Sequence, residues 1–146
     1  MTKPEYNDDY SSCEETYATL RIFDNHLSPD SVSARLEIEP TRTLTKGEAR
    51  GKQGRVNQSN GWFLSSEHHV VSLDTRRHID WILDQLSSNS LEILQMQKNG
   101  AKIDITSFWV SKSGNGGPML STYQLQRLSE MQIEICWDIY IGEQDV

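Results

Sequence analysis

Residues 133–141 read Ile-Glu-Ile-Cys-Trp-Asp-Ile-Tyr-Ile. Ile133, Ile135, Trp137, Ile139 and Ile141 alternate with Glu134, Cys136, Asp138 and Tyr140. Successive side chains of a strand point to opposite faces, so this spacing collects five large apolar groups on one face. The other face is wet, which belongs to a sheet covered on one side only. The reading makes this strand a central element of the fold and places Trp137, together with Trp109, in the core.

Upstream, the same two-residue period recurs. In Tyr17 to Phe23, Ala18, Leu20 and Ile22 share one face, while Thr19 and Arg21 share the other. In Ala101 to Val110, Ile103, Ile105 and Trp109 oppose Lys102 and Asp104. Trp62-Phe63-Leu64 is a shorter strand, with Trp62 and Leu64 on one side.

Helical signals fill the intervals. Ser28-Pro29-Asp30 is a start signal, combining an N-cap, proline at the first position and an acid at the positive end of the dipole. Val32 and Leu36 face inward, and Pro40 is expected to end the helix. Asp74 caps a second helix whose Ile79, Ile82, Leu83 and Leu86 fall at i, i+3, i+4 and i+7. Ser90 opens a third, with Leu91, Leu94 and Ile93 read as inward and Gly100 closing it. Ser121 and Gln124 form a capping box for a fourth, which carries Leu125 and Leu128.

The order is strand, helix, strand, two helices, strand, helix, strand. Four strands with helices on one face make an α+β two-layer sandwich with a mainly antiparallel sheet. Residues 1–15 hold Glu5, Asp8, Asp9, Glu14 and Glu15 against Lys3 and read as a flexible acidic tail. Residues 16–146 are the single domain. A chain of 146 residues buries about two thirds of its surface on folding without a disulfide or metal.

Four short stretches, taken together, resemble a known family. They are Leu20-Arg21-Ile22 with Ser28-Pro29-Asp30 and Ile38-Glu39-Pro40; Lys46-Gly47-Glu48 with Gly61-Trp62; the helix Ile79 to Leu86; and Phe108-Trp109, Gly116-Gly117-Pro118 and Asp138-Ile139-Tyr140. Over about residues 16–141 the chain is similar to the mostly bacterial domain of unknown function 4279. The resemblance implies a small cytoplasmic α+β domain and carries over no catalytic residue.

The chemistry-bearing residues form no recognisable motif. His68 and His69 are adjacent, so on a strand they diverge, and Cys13 and Cys136 stand alone; no metal or other cofactor is expected. No Gly-x-Ser-x-Gly elbow occurs. Gly114-Asn115-Gly116-Gly117 precedes a helix as phosphate loops do, but it lacks the P-loop lysine, and Pro118 removes a donor. No catalytic residue is assigned, and the chain is read as a non-enzyme.

Charge supplies the functional expectation. The net charge is −7, which argues against nucleic acid as partner and suits a basic protein. Residues 41–60 run the other way. They lack either period, and Arg42, Lys46, Arg50, Lys52 and Arg55 against Glu48 give a local +4, leaving −11 on the remainder. With no secretory signal and no long apolar run, the compartment expected is the reducing cytoplasm, with no membrane association. The expected function is a protein-binding module, of which an immunity-type inhibitor of a basic toxin such as a nuclease is one form. It would dock through Asp104, Glu134, Asp138 and Tyr140. The alternative is a small-ligand or anion-binding domain using Arg42, Lys46, Arg50, Lys52, Arg55 and Trp62.

Overall fold

A computed structural model describes residues 2–142. The elements are β1 (Cys13–Asp24), α1 (Pro29–Leu36), β2 (Arg42–Leu44), β3 (Ala49–Arg50), β4 (Arg55–Val56) and β5 (Asn60–Ser65). They continue with α2 (Thr75–Leu86), a 3-10 turn (Ser87–Asn89), α3 (Ser90–Lys98), β6 (Lys102–Ser111), α4 (Thr122–Glu130) and β7 (Glu134–Ile141). Five strands form one sheet in the order β2-β5-β1-β6-β7, and β3 and β4 form a separate hairpin. All main-sheet pairs are antiparallel except β6–β7, which is parallel and is bridged by α4 as a crossover. This is an α+β sandwich with its helices on one face. No helix of the described residues is long and apolar enough to cross a membrane.

The helix starts follow their local chemistry. The Ser28 hydroxyl accepts from the Ser31 N–H, Asp74 accepts from the Arg76 N–H, and the capping box of Ser121 and Gln124 is closed. The first helix stops sooner than Pro40 demands: Glu37 takes a left-handed backbone and its N–H returns to the Ser33 carbonyl. In α3 the inward residues are Ile93 and Met96, and Leu91 points to solvent.

The core lies between helices and sheet. Ala18, Leu20 and Ile22 of β1, Trp62 and Leu64 of β5, and Ile103 and Ile105 of β6 meet Val32, Leu36, Ile79, Ile82, Leu83, Leu86, Ile93, Met96 and Leu128. Trp109 is buried on the same side of β6.

β7 is an edge strand rather than a central one. Its alternation is as read: Ile135 lies beside Ile105, and Glu134 beside Asp104. Only Ile133 and Ile135 reach the core. Trp137 is 44% exposed, Ile139 52% and Ile141 68%, so Trp137 is not a core residue. Alternation reports which face a side chain takes; it does not report whether a helix extends over that part of the face.

Residues 1–15 are not a flexible tail up to residue 15. β1 begins at Cys13, whose side chain is buried. Asp8 pairs with Arg77 at 2.7 Å and accepts from the Ser72 hydroxyl at 2.6 Å; the Asn7 N–H donates to Asp74 at 2.7 Å. The Tyr6 hydroxyl donates to Asp80 at 2.5 Å. These partners lie 64 to 74 positions away in sequence, beyond any local pattern. Met1 and the domain's expected last residues, 143–146, lie outside the described residues.

Residues 41–60 are not structureless either. β2 pairs with β5, and Gly47, Gly51 and Gly54 take positive φ in the turns around the β3–β4 hairpin. Strands of two or three residues are too short to show a period.

Candidate functional site

Among the described residues every helix packs on one face of the sheet, and none covers the other. Register places Glu15, Tyr17, Thr19, Arg21 and Phe23 of β1 on it, with Asp104, Thr106, Phe108 and Val110 of β6 beside them. Glu134, Cys136, Asp138 and Tyr140 of β7 continue the face outward. The four residues assigned to partner binding, Asp104, Glu134, Asp138 and Tyr140, therefore do share one surface.

At the centre stand three rings. Tyr17 and Phe108 stack with centroids 4.7 Å apart, and Phe108 meets Tyr140 at 5.5 Å in a tilted contact. Carboxylates surround them. Burial, followed by the charges of Glu67, Glu15 and Asp138, pushes the Tyr17 hydroxyl above its ordinary pKa. The hydrogen bond to Asp138 does the same for Tyr140. Both hydroxyls stay protonated at neutral pH and act as donors. The sequence reading missed Tyr17 and Phe108, whose stacking depends on the β1–β6 register.

Asp104 differs from the other carboxylates. Arg21 grips it with two hydrogen bonds of 2.7 Å, and its charge is answered within the fold. The net negative charge of this half of the face comes from Glu15, Glu134 and Asp138.

The cationic set is divided by the structure. Arg42 lies over the Phe63 ring, 4.7 Å from the centroid, on the same open face at the β2 edge. Lys46, Arg50, Lys52 and Arg55 are exposed on or beside the hairpin. Arg50, Lys52 and Arg55 line an open concavity of about 780 Å³. Trp62 does not belong with them: it is fully buried, and its indole N–H donates to the Ser33 hydroxyl at 3.0 Å. On the strand its inward parity sends it to the core.

Other polar clusters are satisfied among themselves. The Ser66 hydroxyl contacts His78 Nδ1 at 2.7 Å, and His78 Nε2 lies 2.8 Å from the Ser72 carbonyl, which can only accept. The neutral tautomer with hydrogen on Nε2 fits both contacts. Ser66 also accepts from the Ala18 N–H and is fully buried, so the pair is structural rather than nucleophilic. Asp80, 1% exposed, accepts from Tyr6, Gln124 and Arg127. His69 stacks on Trp81 at 4.8 Å. Gly116 shows why the glycine turn is tight: with φ of 78°, a Cβ there would fall 2.7 Å from the Cβ of Ser12. Among the described residues, no group of three His, Cys, Asp or Glu side chains is placed to hold a metal ion.

The model of the family described as "Domain of unknown function (DUF4279)" matches residues 14–142. No curated protein and no solved structure matches the chain.

Proposed function

The chain belongs to the DUF4279 family, and we propose that it is a non-enzymatic protein-binding module that presents its uncovered sheet face to a basic protein. The observation that carries this reading is the Tyr17–Phe108–Tyr140 cluster on a face without helices, bordered by Glu15, Glu134 and Asp138. Aromatic side chains bring large contact area at low entropic cost and dominate binding hot spots. Their faces attract guanidinium and ammonium groups, and surrounding carboxylates strengthen that preference. An immunity-type inhibitor covering the active site of a basic toxin, such as a nuclease, is the specific form we favour. That role places the chain in the cytoplasm, where Cys13 and Cys136 remain thiols.

The test is affinity capture from the source cell, followed by rate measurements with the captured basic protein. Charge reversal in Glu134→Lys/Asp138→Lys is expected to slow association strongly, and Lys46→Glu/Arg50→Glu is not. The opposite pattern would reject this reading.

One observation favours the second reading, an anion-binding hairpin. Arg50 and Arg55 stand directly opposite each other across β3 and β4. Like charges in that position destabilise a hairpin, and a bound anion relieves the repulsion. A rise in melting temperature with inorganic phosphate, lost in Arg50→Gln/Arg55→Gln, would support it.

A further inference from the structure

The two edges of the main sheet are built differently. β2 is three residues long and carries Arg42, the kind of short, charged edge that resists pairing. β7 runs for eight residues with no proline, lysine or arginine, and no bulge interrupts its register with β6. Among the described residues no strand pairs with its outer side. Such an edge is a template for another strand.

Side chains on both layers extend the edge. Trp137, Ile139 and Ile141 emerge on the helix side of β7, each more than two-fifths exposed. On α4, Gln124 and Arg127 both bond to α2. With about 100° per residue, Leu125 lies on the flank turned away from α2, and it is 52% exposed. An apolar stripe thus accompanies an open ladder of backbone donors and acceptors.

We infer that β7 is the interface with a second copy of this chain, the two β7 strands pairing antiparallel about a twofold axis at Trp137. Residues directly opposite in a sheet share a face, so the pairing must match like with like. With the axis at Trp137, that residue meets its own mate, Ile135 meets Ile139, and Ile133 meets Ile141. On the open face Glu134 meets Tyr140 and Cys136 meets Asp138, so no two carboxylates are opposed. An axis at Asp138 sets two aspartates against each other, and one at Cys136 sets Glu134 against Asp138. Charge and the apolar stripe select the same register, which also pairs nearly the full length of the strand. A twofold interface of this kind is self-complementary and closed. It joins two five-stranded sheets into one of ten and leaves the Tyr17–Phe108–Tyr140 face open in both copies.

The experiment is light scattering over a concentration series, with chemical cross-linking of the unaltered chain. The expected mass is twice 16.7 kDa. Cys136 is the exposed cysteine and Cys13 is buried. In this register the two Cys136 residues are diagonal neighbours about 7–8 Å apart, within reach of a short bis-maleimide. Cross-linked dimer is expected from the unaltered chain and none from Cys136→Ser. Ile139→Lys is expected to return the single-chain mass with an unchanged circular dichroism spectrum. A single-chain mass at every concentration overturns the inference. So does a dimer that survives Ile139→Lys, or one that Cys136 does not cross-link. Should Ile139→Lys fail to fold, the cross-link on the unaltered chain decides.

Discussion

Arg21 and Asp104 face each other directly across β1 and β6 and close a two-armed ion pair, Nε to Oδ1 and Nη2 to Oδ2, both at 2.7 Å. The pair sits on the open sheet face and removes one carboxylate from the charge available to a partner. Both side chains are partly exposed, so water can replace either partner. Asp104→Asn is expected to cost roughly 0.2–1 kcal/mol, the worth of a cross-strand pair. It also leaves the Arg21 guanidinium unanswered and the face one charge less negative, so association with a basic protein should slow modestly, by less than in Glu134→Lys. Urea melts and rate measurements check both parts; slowing equal to that of Glu134→Lys would return Asp104 to the binding set.

Two tryptophans on the helix side of the sheet should respond very differently to truncation. Trp62 is fully buried and donates to Ser33. Trp62→Ala should cost about 3–5 kcal/mol, as for other large core aromatics. Trp137 is 44% exposed at the sheet edge. In the single chain, Trp137→Ala should cost about 1 kcal/mol or less. Denaturant melts of the two variants at low protein concentration are the measurement, and equal losses would contradict the edge position of β7.

That contrast marks where the sequence was legible. Caps were readable because the chemistry is local: Ser28, Asp74 and the Ser121–Gln124 box act on N–H groups within three residues. Strand faces were readable because alternation is local too, and Glu134 does lie beside Asp104. Position in the sheet is not local. Trp137 and Ile105 follow the same alternation, yet Ile105 lies beneath the helix layer and Trp137 lies beyond it. The Tyr17–Phe108 stack and the Asp8–Arg77 tie each join residues more than 60 positions apart, and one sequence carries no mark of such pairings.

Asp80 is a buried carboxylate held by Tyr6, Gln124 and Arg127, and it ties the N-terminal segment and α4 to α2. Asp80→Ala strands three donors in the interior. The expected loss is about 3–5 kcal/mol, typical of breaking a buried charged pair from one side. Tyr6→Phe removes a single donor and should cost about 0.5–1.5 kcal/mol. A double-mutant cycle on Asp80 and Tyr6 measures their coupling. Additive losses would show that the 2.5 Å contact bears no energy of its own.

His78 should make stability fall with acid. Burial pushes its pKa below the ordinary 6.5. Below pH 6.5 the unfolded chain binds a proton that the folded chain refuses, so the folded state loses ground. The slope cannot exceed about 1.4 kcal/mol per pH unit, the limit for one proton, and it ends at the folded-state pKa. Asp8, held low first by its hydrogen bond to Arg77, adds a loss of the same sign below its ordinary 3.8. Asp74 acts likewise: burial would raise its pKa, but the bonds from Arg76 and from the Asn7 backbone outweigh that. His78→Gln should lower stability at neutral pH yet flatten the slope just below pH 6.5. Urea midpoints taken across that range check it, and parallel slopes in wild type and variant would clear His78.

Salt should act with opposite sign on the two associations proposed for this chain. Each copy carries −7, so two copies repel at long range, while their contact at β7 is apolar and backbone-bonded. Raising ionic strength shortens the screening length from about 30 Å at 0.01 M to about 10 Å at 0.1 M. The repulsion fades and the apolar contact remains, so self-association should tighten. A basic protein approaching Glu15, Glu134 and Asp138 is attracted over the same distances. Its association rate should fall steeply over the same salt range, and its dissociation rate should change less, because close contacts are poorly screened. Sedimentation of the chain alone and stopped-flow mixing with the captured partner, in one buffer series, read the two signs side by side. Self-association that weakens with salt would mean that charge, not the Trp137–Ile139–Ile141 stripe, holds the copies together. A partner association rate indifferent to salt would remove the acidic border from the binding reading and leave the rings to account for it alone.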